Sequence, residues 1–145
     1  MTADRPGDTA GLRHVSLRVR ELERCVAFYT EHLGLEVEWR PDDDTVFLTS
    51  GHESLALQRA EEPATEEAVE PATHGTADGA GPLDHLGFLV DVRDDVDRWH
   101  AYLREQGVEI AAPPKDHRDG SRSFFCRDPA GTEIQMFYHP KLSRS

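Results

Sequence analysis

The chain repeats itself, and that repeat limits its possible folds more than any other feature. Gly34-Leu35-Glu36-Val37 returns as Gly107-Val108-Glu109-Ile110, and His14 and His85 each open an alternating apolar segment. His14 and His85 are 71 residues apart, Val26 and Val96 are 70 apart, and the two glycines are 73 apart, so only small insertions separate the halves. In the first half, Leu12 to Val19 alternates as a strand. Glu21 to Leu33 then sets Leu22, Val26, Tyr29 and Leu33 on one helical face, with Gly34 as the stop. Strands are expected over Leu35 to Trp39, Thr45 to Thr49 and Ser54 to Gln58, with turns at Pro41 to Asp44 and Ser50 to His52. The second half repeats the order: a strand from His85 to Val90, then a helix carrying Val92, Val96, Trp99 and Leu103 and stopped by Gly107. Past Pro113-Pro114 comes a strand from Ser121 to Arg127. Each unit is therefore βαβββ.

The last strand is the most informative. Asp128-Pro129-Ala130-Gly131 reads as a tight reversal, because proline presets φ and glycine accepts positive φ. Behind it Ile134, Met136 and Tyr138 alternate with Glu133, Gln135 and Phe137, giving one apolar face and one that carries an acid and an amide. In the two opening strands, likewise, His14 and His85 lie opposite the apolar set. The duplication implies that both histidines face a common cleft.

The bulk properties remove several classes of function. A net charge of −12 opposes nucleic-acid binding, and no apolar run approaches the roughly 18 residues needed to cross a bilayer. Residues 1–10 lack the apolar core of a signal peptide and read as a disordered tail, so a reducing cytoplasm is expected, with Cys25 and Cys126 as thiols. Neither flank of Cys126 makes a nucleophile motif. Residues 60–82 form an acidic linker rich in proline and glycine, between a first module at 11–59 and a second at 83–140, with 141–145 as a C-terminal tail. The whole reads as one structural domain. His32, His52, His74, His100, His117 and His139 read as surface residues.

Two tandem βαβββ units, a histidine on each opening strand and an Asp-Pro-x-Gly turn before the last strand together resemble the vicinal oxygen chelate superfamily. That group embraces glyoxalases, extradiol dioxygenases and bleomycin-resistance proteins. The resemblance covers Leu12 to His139. It implies an α+β fold of curved half-barrel mixed sheets around a concave cleft, with the helices on the outer face. It also implies metal ligands at His14 and His85, with the last-strand position, usually a glutamate, occupied here by Gln135. The matching position in the first half falls on Ala56 or Gln58.

Under the resemblance, a divalent metal (Fe, Mn, Zn or Ni) would bind vicinal oxygens of a small substrate, as in lyases, isomerases or ring-cleaving dioxygenases. Glu133 would serve as the catalytic base, and Gln58, Phe125 and Phe137 would contact substrate. The alternative is a metal-free, drug-sequestering module of the bleomycin-resistance type. Aromatic residues including Trp39 and Phe47 suit that reading. A homodimer is expected in either case, because half-closed sheets leave edges to cover.

Overall fold

The computed structural model describes residues 5–61 and 81–144. The acidic linker expected at 60–82 falls almost wholly outside the described residues. The first unit comprises β1 (His14–Val19), helix α1 (Leu22–Ala27) continued by a π-helical turn (Phe28–His32), β2 (Glu36–Asp42), β3 (Thr45–Thr49) and β4 (Ser54–Arg59). The second comprises β5 (Leu86–Leu89), α2 (Asp95–Glu105), β6 (Ile110–Asp116), β7 (Arg122–Arg127) and β8 (Glu133–Tyr138).

Each unit forms a four-stranded mixed sheet, and the two share one topology. The orders are β1-β4-β3-β2 and β5-β8-β7-β6, with the opening strand parallel to the last and the remaining pairs antiparallel. Parallel pairing requires a crossover, which the helix of each unit supplies.

Three elements depart from the sequence expectation for local physical reasons. Strand β2 runs through Pro41, and β6 runs through Pro113 and Pro114, where turns or breaks were expected. Both are edge strands, so a missing N–H costs no ladder bond on the outer side. The first helix widens into a π turn at Phe28, which brings Cys25, Phe28 and Tyr29 to the buried side with Leu22. Val26 and Leu33 are only partly buried, so the single-face spacing did not foresee this. Val92 precedes α2 and stays exposed.

A continuous apolar core joins the halves. Leu17, Val19, Val46, Leu48, Leu55 and Leu57 of the first sheet belong to the same buried cluster as Phe124, Cys126, Ile134 and Met136 of the second. Tyr29 is wholly buried, lies 6.3 Å from Phe88 between ring centroids, and donates a 2.7 Å hydrogen bond to the Asp128 carboxylate. Strand alternation, which buries Ile134 and Met136 against this core, necessarily turns Glu133, Gln135 and Phe137 to the face that the helices leave uncovered.

Candidate active site

The register of the second sheet sorts its helix-free face into rows. Gly87 pairs with Gln135, and Gln135 with Phe125, which in turn pairs with Ala112. Leu89, Phe137, Ser123 and Lys115 make the next row. One step the other way, Arg127 pairs with Glu133, and His85 falls beside Glu133 one residue before Leu86, which pairs with Ile134. Arg127 also reaches the Glu109 carboxylate, so acid, base, acid and imidazole line up across the sheet. The Arg127 Nε atom is buried and has no hydrogen-bond partner.

Phe125 stands edge-on to the His85 ring with centroids 5.1 Å apart. At Gly87 a Cβ would sit 2.9 Å from Phe137 Cε1 and 3.6 Å from Gln135 Oε1, so the absence of a side chain there is what lets Phe137 and the amide close over β5. Five of the residues singled out from sequence, namely His85, Glu133, Gln135, Phe125 and Phe137, thus share one surface.

His14 and Gln58 occupy the corresponding face of the first sheet. There Ser16 pairs with Ala56, Ala56 with Phe47, and Phe47 with Trp39. By register Ser16 matches Gly87, so Ala56 is the counterpart of Gln135, and Gln58 is the counterpart of Phe137. Gln58 donates to Ser16 Oγ at 2.9 Å. The first half therefore offers a histidine but no donor at the last-strand position. Trp39 and Phe47 stack at 5.3 Å, and Trp39 remains 59% exposed.

Both histidines are held the same way. His85 Nδ1 lies 2.7 Å from the Asp84 carboxylate, and His14 Nδ1 lies 3.0 Å from the Ser54 carbonyl oxygen. Each partner is an acceptor, so Nδ1 carries the proton and Nε2 keeps its lone pair in the neutral ring. A metal-binding imidazole is usually oriented in this way. Among the described residues no three His, Cys, Asp or Glu side chains gather closely enough to hold a metal ion. The ligands that the resemblance implies, two imidazoles and an amide oxygen, would suit Zn²⁺ or Ni²⁺ better than hard cations, and they are divided between the sheets, with His14 on the first and His85 and Gln135 on the second.

Sequence reasoning missed several residues that shape the site and its support. His117 is exposed, as expected, although its Nε2 lies 2.8 Å from the Oγ of the buried Ser123; His100 is half-buried and packs edge-on to Phe124 at 5.3 Å, so it is not the plain surface residue expected. Their spacing gave no signal, because both contacts cross from one element to another. Burial raises the thiols of Cys25 and Cys126 to about 12, helped by the nearby Asp128 carboxylate, which removes them as nucleophiles.

Two βαβββ sheets of one topology, each with an imidazole and mixed polar and aromatic groups on its open face, make a duplicated scaffold. The chain belongs to the Glyoxalase/Bleomycin resistance protein/Dioxygenase superfamily, whose model matches residues 11–136. It is 26% identical over 132 residues to metallothiol transferase FosB of Staphylococcus epidermidis, covering 89% of this chain and 82% of that protein. Lactoylglutathione lyase from Agrobacterium tumefaciens superposes with a TM-score of 0.68 at 20% identity, covering 91% and 96% of the two chains. A glyoxalase-related enzyme from Fulvimarina pelagi gives 0.69 at 18% identity, covering 91% and 90%. These two structures establish the likeness of fold. No helix among the described residues is long and apolar enough to cross a membrane.

Proposed function

We propose that this chain is a divalent-metal-dependent enzyme acting on a small substrate with vicinal oxygens, of the lyase, isomerase or transferase kind. The observation that carries this reading is the matched tethering of His14 and His85 through Nδ1, which leaves Nε2 of each as a donor. The 26% identity to a metallothiol transferase supports it. His14, His85 and Gln135 would hold the cation, which when bound polarises the substrate oxygens.

The chain's own groups do the rest. Phe125 and Phe137 wall the surface against water. Glu133 lies beside His85 and opposite Arg127, in a position to take a proton from a substrate carbon or thiol. The row's one cation limits the build-up of negative charge. Because His14 and His85 lie on different sheets, the complete site is proposed to form in a homodimer, where the open face of one copy's first sheet meets the second sheet of the other. Gln58 would then contribute to the substrate wall.

A metal-free binding module is the competing reading, favoured by the exposed Trp39–Phe47 stack, a ready platform for a planar ligand. One substitution separates the two. Gln135→Glu adds an anionic donor to a metal site, so Zn²⁺ or Mn²⁺ affinity measured by calorimetry should rise about tenfold, equivalent to about 1.4 kcal/mol. Unchanged affinity with a lowered melting temperature overturns the metalloenzyme reading, since an unpaired carboxylate is then the only thing added.

A further inference from the structure

A concavity lies on the helical side of the molecule. It has a volume of about 500 Å³ and sits between the end of the π-helical turn and the outer face of α2, where Glu31, Leu33, Asp95, Arg98, Trp99 and Tyr102 border it. That volume falls within the roughly 300–1,000 Å³ of small-ligand sites. None of its lining residues belongs to the rows that carry His14, His85 or Gln135.

Its shape follows from two backbone features. The π turn inserts extra chain into the last turn of the first helix, an irregularity that often accompanies a functional site. Gly34 then turns the chain at φ +79°, and a Cβ there would meet nothing within 4 Å, so the floor of the concavity is left open. On the other wall, Val96 and Leu103 of α2 face the core, while Trp99 is half-buried and Tyr102 is 37% exposed. The Trp99 and Tyr102 rings meet edge-to-face at 5.7 Å and present a fixed aromatic corner.

The charges indicate what that corner would accept. The Asp95 carboxylate is answered by Arg98 at 3.1 Å. Glu31 has no ion-pair partner among the described residues, so it is the unbalanced carboxylate of a pocket that two electron-rich rings also line. We propose that this concavity binds a small aromatic amine. Its ring would pack into the Trp99–Tyr102 corner and its ammonium would lie against Glu31, where ring faces and carboxylate both favour a cation.

Fluorescence offers a direct test, because Trp39 and Trp99 are the chain's two tryptophans. In the full-length Trp39→Phe variant, emission reports Trp99 alone. Titration with 2-phenylethylamine should shift that emission saturably, with Kd on the order of 1 mM or below for a probe of this size. The neutral analogue 2-phenylethanol should bind about threefold or more weakly, and Glu31→Gln should erase that preference. Glu31 is exposed, so its substitution leaves the fold intact. An absence of saturation, equal binding of amine and alcohol, or a preference that survives Glu31→Gln would each overturn the proposal. Saturating Zn²⁺ should leave the titration unchanged; competition by Zn²⁺ would instead place the amine on the strand face.

Discussion

Asp128 Oδ1 accepts the backbone N–H groups of Ala130 and Thr132, each at 2.9 Å, and its Oδ2 accepts the Tyr29 hydroxyl from the other half of the chain. One carboxylate thus shapes the turn before β8 and fastens the π-helical turn after α1 to it. Burial nevertheless raises its pKa above the ordinary aspartate value, against the opposing pull of those donors. The sign of the pH effect follows. Between the unfolded and folded pKa values the native state binds more protons, so stability contributed by this group falls as pH rises through that window. Asp128→Asn removes the dependence. The wild type's advantage in melting temperature over the variant should therefore be largest at the acid end, and shrink as pH rises from below about 4 through the raised pKa. An advantage that grows with pH would mean that the hydrogen bonds outweigh burial.

At the scale of elements, the site depends on strand β5 lying close beneath two side chains of β8. Gly87 makes that possible, since a methyl group there collides with the Phe137 ring at 2.9 Å. Gly87→Ala should cost about 1–3 kcal/mol by urea denaturation and push Phe137 and Gln135 away from His85. Metal or ligand affinity should fall with it. Full stability together with unchanged affinity would show that the ring swings aside freely. Alternation within β8 was legible because Ile134 and Met136 bury while Glu133, Gln135 and Phe137 do not. The role of Gly87 was not legible, since its neighbours come from a strand nearly 50 residues away.

For the whole molecule, the decisive question is which two faces meet. If His14 of one copy completes the site of another, mixing His14→Ala with His85→Ala should restore metal binding to about a quarter of wild-type sites after random subunit exchange. Sites built within one chain would give no recovery. Calorimetry on the mixture reads the difference, and sedimentation at micromolar concentration should show a dimer. The repeat, the polar face of each opening strand and the turn before β8 were fixed locally, by periods of 2 and 3.6 and by residues with restricted φ. Those features determined the βαβββ order and brought His14, His85 and Gln135 forward. Tertiary structure alone decided that Ala56 rather than Gln58 answers Gln135, that three prolines lie in edge strands, and that Tyr29 reaches Asp128. Each of these depends on strand register or on contact across the core, which neighbouring residues do not encode.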